Sequence, residues 1–314
     1  MSEGFIMRLG LDIGGTKIEA VVLDEQGKVR YRERYSTQKQ SYPAFFQAVV
    51  EIIHQAQAAF SEPLTVGVGI PGAVDPTSGL IKNSNILVLN QQPFASDLER
   101  RLALPVTITN DANCFTLSEA MDGSGKGYGV VFGVILGTGC GGGLCVDRRL
   151  ITGPNACTGE WGHNALPRYS LARDGADDAC YCGDHNCIES FISGSGLERQ
   201  YRNEANQPAS VPEIIQRVEA GDAAAVRVWE RYCDQLARSL ASIVNMIDPD
   251  AIVLGGGVSN IDLLYHGLAE RVAKYVFGRH CHTPILRASH GDSSGVRGAA
   301  WLGHASRPVT MSDE

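Results

Sequence analysis

The same local pattern occurs twice in this chain: an apolar run, a glycine turn that carries a threonine, and an apolar return. Residues 7–13 (Met-Arg-Leu-Gly-Leu-Asp-Ile) read as a buried strand, Gly14-Gly15-Thr16 as a tight turn and 17–23 as the returning strand. Val130 to Leu136, the glycine-rich turn from Gly137 to Gly143, and Leu144-Cys145-Val146 repeat that order. A pattern that restarts in this way is what a duplicated architecture leaves in a sequence. With 314 residues the chain exceeds one typical core, so two lobes are expected. The flexible run Gly123-Ser124-Gly125-Lys126-Gly127 falls between the two copies. We therefore expect a first lobe over 1–122 and a second over 123–291, with a C-terminal helix at about 292–314 packing back on the first lobe.

The remaining segments alternate strand and helix, which predicts an α/β fold. Residues 28–36 alternate as a third strand. Ser41 can cap a helix that has Pro43 in its first turn and Phe45, Val49, Ile52, Ile53 and Ala56 on one face. Strands follow at 65–70, ending in Pro71-Gly72, and at 106–109, with a helix from about Ala112 to Met121. Further on, Ala223 to Ile247 has the period of a long helix stopped by Asp248-Pro249-Asp250. Ile252-Val253-Leu254 is a strand entering Gly255-Gly256-Gly257; a helix over 260–277, a strand near 285–288 and a last helix from about 295 complete the reading.

Cysteine usage points to a metal. The chain has 9 cysteines, an odd count, and six of them are scattered in a way that fits no disulfide framework. The other three, Cys180, Cys182 and Cys187, stand at metal-ligand spacing, and with His163 they supply one imidazole and three thiolates, the donor set of a closed tetrahedral zinc site. Asp184 and His185 are the other candidates for fourth ligand. His185 lies inside the knuckle, where the short span would strain coordination, and this favours His163. Four protein ligands leave no open position, so the metal is expected to be structural.

Three glycine turns carry the next argument. Asp12-Ile13-Gly14-Gly15-Thr16-Lys17 lies between two strands, so it is neither a P-loop nor a dinucleotide fingerprint, both of which need a following helix. Glycines let backbone N–H groups approach phosphate oxygens closely. Gly137-Thr138-Gly139 offers the same geometry, and Gly255-Gly256-Gly257 lies between a strand and a predicted helix. A single glycine pair is most simply a hairpin turn; three turns, two at equivalent points of a repeat, favour phosphate. Asn110-Asp111 stands at a strand-to-helix junction, where either residue can be a helix cap. It is also where open α/β sheets place ligands, and there Asp111 could accept a proton from an attacking hydroxyl. Glu160 and Glu189 bracket the proposed zinc ligands and suit vicinal sugar hydroxyls, although Glu189 also reads as a charge at a helix start. Asn85, in Asn83-Ser84-Asn85, is either a sugar-binding amide or part of a polar turn.

A net charge of −8 argues against nucleic acid as a partner. No run of about 18 apolar residues predicts a membrane span, and residues Met1 to Met7 have no signal-peptide pattern, so a cytoplasmic location is expected.

Taken in order, these motifs resemble the ROK family (repressors, open reading frames and kinases) of the actin-like ATPase superfamily. The resemblance runs from Leu9 to about Ala300: Leu-Asp-Ile-Gly-Gly-Thr-Lys (11–17), Gly-Ile-Pro-Gly (69–72), Asn-Asp-Ala-Asn (110–113), Leu-Gly-Thr-Gly-Cys-Gly-Gly-Gly (136–143), Gly-Glu-Trp-Gly-His (159–163), the cysteine knuckle, Leu-Gly-Gly-Gly (254–257) and 291–300. It implies two RNase-H-like lobes with a cleft between them, a homodimer, and transfer of the γ-phosphoryl group of ATP with Mg²⁺ to the 6-hydroxyl of a hexose. It further implies that Asp111 is the base and that Asn85, Asn110, Glu160, His163 and Glu189 contact the sugar. Asp12, Gly14, Gly15, Thr16, Lys17, Gly137, Thr138, Gly139 and Gly255 to Gly257 would then serve ATP. The segment 82–94 and Trp161 resemble bacterial fructokinases of the mannokinase type, which makes fructose the expected sugar; an N-acetylglucosamine kinase, similar through 110–115 and 117–120, or a broad-specificity gluco/mannokinase is the alternative. The family also contains sugar-sensing repressors. Those carry a helix-turn-helix before the first strand, and here that strand begins near residue 7. A catalytically dead sugar-binding regulator would show an altered Asp111 or broken glycine turns, and neither is seen.

Overall fold

A computed structural model describes residues 6–176 and 179–303. Residues 1–5 of the expected first lobe and 304–314 of the expected C-terminal helix lie outside the described residues. The chain divides into two compact units. One takes the chain as far as Lys126, together with Arg148–Cys157 and the chain from Asp292 onward. The other takes Gly127–Asp147 and Thr158–Gly291. The segment Arg148–Cys157, expected in the second lobe, thus groups with the first unit, where β10 (Arg149–Leu150) lies against helix α3 (Asp111–Asp122).

The first unit is built on strands β1 (Met7–Ile13), β2 (Lys17–Leu23), β3 (Val29–Ser36), β4 (Leu64–Ile70) and β7 (Val106–Asn110) in the order β3-β2-β1-β4-β7. The pairs β1/β2 and β2/β3 are antiparallel, whereas β1/β4 and β4/β7 are parallel. A two-strand ribbon, β5 (Ala73–Val74) with β6 (Ile81–Lys82), projects after β4. Alternation along the strands divides the sheet into two different faces. Leu9, Leu11, Ile13, Val66, Val68 and Ile70 point into a core with α1 (Tyr42–Ala58) and α2 (Phe94–Leu102), where the Phe45 and Phe94 rings lie 5.5 Å apart. Ser41 caps α1, its hydroxyl accepting from the Ala44 N–H at 3.3 Å.

On the other face Gly10 and Gly67 stand at alternate positions, because a helix backbone lies directly on them. A Cβ on Gly67 would stand 1.9 Å from the Ala299 carbonyl oxygen, and one on Gly10 would stand 2.3 Å from the Ala300 nitrogen, both in α10 (Ser294–Leu302). Gly298 of that helix meets the Cys114 carbonyl of α3 in the same way, at 1.7 Å. Since backbone cannot yield as a flexible side chain can, Gly67→Ala is expected to cost about 3 kcal/mol or more, the upper range for overpacking. Chemical denaturation of the variant against the parent would measure it.

In the second unit, β8 (Val130–Leu136), β9 (Cys140–Val146), β11 (Ala251–Gly255) and β12 (Ile285–Arg287) run in the order β9-β8-β11-β12. The first pair is antiparallel and the next two are parallel, the same order and sense as β2-β1-β4-β7. The sequence repeat is therefore a repeat of topology. The core is formed with α5 (Ile188–Ile192), α6 (Gly194–Ala205), α7 (Val211–Glu219) and α8 (Ala223–Ile247), which buries Val228, Trp229, Tyr232, Leu236 and Leu240. The short α4 (Leu171–Asp174) precedes the cysteine knuckle. Helix α8 ends where expected, at Asp248, whose φ of 49° reverses the chain before Pro249.

Two expectations change. The helix predicted over 260–277 is broken into 3-10 turns at Gly257–Asn260, Asp262–Tyr265 and Phe277–Arg279, with α9 only at Leu268–Ala273. Gly267, at φ 68°, interrupts the apolar period that suggested one helix. The glycine turn predicted over 137–143 is also shorter, since Cys140 to Gly143 already belong to β9. Among the described residues, no helix is long and apolar enough to cross a membrane.

Candidate active site

In the first unit the functional candidates gather at the C-terminal edge of the parallel strands. The register pairs Asp12 with Gly69 and Ile70 with Asn110, so the ends of β1, β4 and β7 stand side by side. Asn110 is the cap of α3, its side-chain oxygen accepting from the Asn113 N–H at 2.8 Å. Asp111, at the first helical position, is therefore free of the capping duty, and one of its oxygens accepts from the Ala112 N–H at 2.9 Å. Desolvation lifts the Asp111 carboxyl above the usual range, opposed by hydrogen bonds from the N–H groups of Ala112 and of Asp111 itself.

Asp12 is pushed from 3.8 up to about 6, first by burial and then by the neighbouring charges of Asp111 and Glu19, with Lys17 opposing them. Gly295 at the start of α10 keeps the space beside it, because a Cβ there would stand 2.8 Å from an Asp12 oxygen. The sign of the pH effect follows. The folded chain holds the Asp12 proton more tightly than the unfolded chain, so its ionisation costs stability as pH rises from 3.8 through about 6. Asp12→Asn is accordingly expected to raise stability by about 1–3 kcal/mol above pH 6 and to give no gain below pH 4. Urea titrations at both pH values would show it.

Asn85 is presented by a loop fixed through its neighbours. Asn90 accepts from the Ser84 N–H and donates to the Ser84 carbonyl, both at 2.9 Å. Gly72, at φ 98°, lets this loop pass so close that a Cβ would be 2.5 Å from the Lys82 carbonyl. Asn85 itself is exposed, with its side-chain oxygen 3.8 Å from a Cβ built on Gly15. Gly14 closes its turn by donating to the Lys17 carbonyl at 2.8 Å, and exposed Thr16 stands within it.

In the second unit the phosphate-turn candidates sit at the matching edge. Gly137 donates to the Gly139 carbonyl at 3.0 Å, with Thr138 exposed at the tip. Gly255 pairs with Ile135 in the sheet, and Gly256, at φ 81°, crosses so near β8 that a Cβ would lie 2.5 Å from the Leu136 carbonyl. Sequence reasoning missed a tie from α6: the Gly194 N–H donates to the Gly137 carbonyl at 2.7 Å, and Ser193 caps that helix. Glu189 is tied to the same turn, one oxygen accepting from the Cys140 N–H at 2.8 Å. A cavity of about 750 Å³ is lined by Gly137, Thr138, Gly257 and the apolar side chains of Val211, Ile215, Val258 and Ile261. Its size and mixed lining suit a nucleoside.

The glycines of β9 serve packing, which their run in the sequence did not reveal. The Gly-Glu-Trp-Gly-His segment lies on them: Trp161 donates to the Gly141 carbonyl at 3.1 Å, and a Cβ on Gly142 would be 2.8 Å from the indole. Trp161 is only 6% exposed and meets Phe132 edge-on. It is a core residue.

His163, Cys180, Cys182 and Cys187 converge, their ligand atoms all within 4.8 Å of one another. Cys180 Sγ is 3.6 Å from His163 Nδ1, and Cys182 Sγ is 3.7 Å from Cys187 Sγ. In a tetrahedral zinc site, bond lengths of about 2.3 Å to sulfur and about 2.05 Å to nitrogen give edges of about 3.6 Å for S···N and 3.8 Å for S···S. The four residues fit that ion in number, chemistry and spacing. With Nδ1 turned to the cluster, His163 Nε2 points the other way, 2.9 Å from the Tyr181 hydroxyl and 4.0 Å from Glu160.

The fold is that of the actin-like ATPases, and similarity to known proteins makes this chain a sugar kinase of that type. A family model described as the ROK family matches residues 8–306, and the chain belongs to that family. It is 42% identical over 301 residues to an N-acetyl-D-glucosamine kinase of Pasteurella multocida, covering 94% of this chain and 99% of that one. Among solved structures, a ROK hexokinase from Thermus thermophilus matches with a TM-score of 0.84 at 30% identity, covering 95% of this chain and 98% of that one. A ROK family glucokinase from Streptomyces griseus, in complex with glucose and AMPPNP, matches at 28% identity and a TM-score of 0.70, covering 94% and 98%.

Proposed function

We propose that this chain phosphorylates N-acetylglucosamine on its 6-hydroxyl with ATP as donor. The observation that carries the choice of sugar is the 42% identity, along essentially the whole chain, to kinases named for that substrate. The expectation of fructose rested partly on Trp161, and burial of that indole against Phe132 removes the support.

In this reading Asp111 accepts a hydrogen bond from the attacking hydroxyl and takes its proton late in the transfer. Its raised affinity for a proton suits that role, and placement of the nucleophile contributes more than basicity. Asn110 can cap α3 with its oxygen and still offer its NH₂ group to the sugar. Asn85, Glu160, His163 and Glu189 hold ring substituents. Backbone N–H groups at Gly14 to Thr16 and Gly137 to Gly139 receive phosphate oxygens, and the cavity beside Gly257 takes the nucleoside. Magnesium, bound with ATP, would supply charge neutralisation, and the carboxylates crowding Asp12 are suited to a cation. Zinc held by His163, Cys180, Cys182 and Cys187 would be structural and would fix the orientation of the His163 ring.

The deciding measurement is kcat/KM with MgATP for N-acetylglucosamine, glucose, mannose and fructose. A value for N-acetylglucosamine at least tenfold above the others is expected. Fructose as the leading substrate would restore the alternative, and no turnover with any hexose would sink the reading.

A further inference from the structure

Tyr181 stands between two of the clustered cysteines and is absorbed neither by the metal cluster nor by the core. Its side chain is 83% exposed, unusually open for a large aromatic residue that lines a cavity. Two contacts orient it, and both are to His163: the hydroxyl lies 2.9 Å from Nε2, and the rings meet edge-on with centroids 5.0 Å apart. Glu189 lines the same cavity as Tyr181, and a Glu160 oxygen lies 4.0 Å from that same His163 Nε2. The hydroxyl of Tyr181 is thus placed among the three groups of this unit assigned to the sugar.

Bound zinc would give the contact a direction. With the ion on His163 Nδ1, Nε2 would carry the proton and donate it. The Tyr181 oxygen would then accept, as a sugar hydroxyl would. We propose that Tyr181 is a gate residue of the sugar pocket: its phenol occupies the hydrogen-bonding position on His163 that a hexose hydroxyl takes, and sugar binding exchanges one hydroxyl for the other. The exchange disturbs little packing, because the ring is held by His163 and otherwise faces solvent. Sugar affinity is thereby set below what His163, Glu160 and Glu189 alone would give, by the net worth of one hydrogen bond. The inference rests on the sugar-kinase reading of this site.

Tyr181→Phe tests it. The variant keeps the ring and its edge contact and deletes only the competing hydroxyl. Titration calorimetry with N-acetylglucosamine, in the absence of nucleotide, should show binding tighter by about three- to tenfold, the range for one neutral hydrogen bond. The KM for the sugar should fall in parallel and kcat should stay within about twofold, since this hydroxyl touches no reacting atom. Bound zinc per chain, measured on the same samples, should equal that of the parent. Binding that is unchanged or weaker in a variant retaining its metal overturns the proposal. Weaker binding would show instead that the phenol contacts the sugar directly. A parent chain that phosphorylates the sugar while the variant binds no tighter defeats the gate alone, whereas a parent that binds none of the four hexoses defeats both the gate and the function.

Discussion

Asp111→Asn is expected to lower kcat by about 10² to 10⁴-fold, the range for loss of a positioned general base. The fold should survive, because the helix start does not depend on this side chain: Asn110 holds the cap through the Asn113 N–H. Asparagine matches aspartate in shape and removes one of the two charges that, after burial, lift the Asp12 carboxyl. Stability near neutral pH should therefore stay level or rise while turnover falls, a combination that a folding defect cannot produce. Single-turnover kinetics with saturating sugar and MgATP, beside a thermal melt, would separate the two. Turnover within tenfold of the parent would show that Asp111 is not the base.

The second large effect concerns the metal cluster. Cys182→Ser is expected to abolish zinc binding and to raise the sugar KM by tenfold or more, with a smaller effect on kcat. The reasoning runs through the backbone. The cluster closes a loop whose two sides are otherwise joined by hydrogen bonds from Leu166 to the Asn186 carbonyl at 2.7 Å and from Ile188 to the Asn164 carbonyl at 2.8 Å. Glu189 directly follows Ile188 and His163 directly precedes Asn164, the two partners of the second of these. Structural zinc contributes folding free energy outright, and its loss softens what it holds. Metal analysis together with sugar and nucleotide titrations would check this. Unchanged sugar affinity in a metal-free variant would leave the cluster without a role in sugar binding.

Much of this was readable before any coordinates. The strands and turns around Gly14 and Gly137 were visible because glycine turns break apolar runs sharply. The cluster of His163 with Cys180, Cys182 and Cys187 was visible because three cysteines at close spacing have few other uses in such a chain. What the sequence could not assign was the purpose of each glycine. Those at 137–139 form a turn, whereas Gly142 makes room for an indole that lies 19 residues later, at Trp161. Gly10 and Gly67 look like ordinary small residues in apolar strands, and only contact with Ala299 and Ala300 explains them. Their alternation with Leu9, Leu11, Val66 and Val68 was the available signal. The support that Trp161 gave to fructose failed for the same reason: it sits beside His163 in sequence, but its ring is turned into the core. The part played by Tyr181 was likewise hidden, because it depends on which side of the His163 ring faces the cysteines.

The wedge of α10 against β1 and β4 also bears on how the protein is made. A ribosome releases the strands that present Gly10 and Gly67 long before it releases Ala299 and Ala300. Everything from Gly127 to Asp147 and from Thr158 to Gly291 emerges first. The unit that begins the chain is therefore the last to be completed, and the strip of its sheet that α10 covers stays open through most of translation. The inserted unit, with every strand and helix already in hand, can mature ahead of it, which reverses the usual order in which the N-terminal portion of a growing polypeptide settles first.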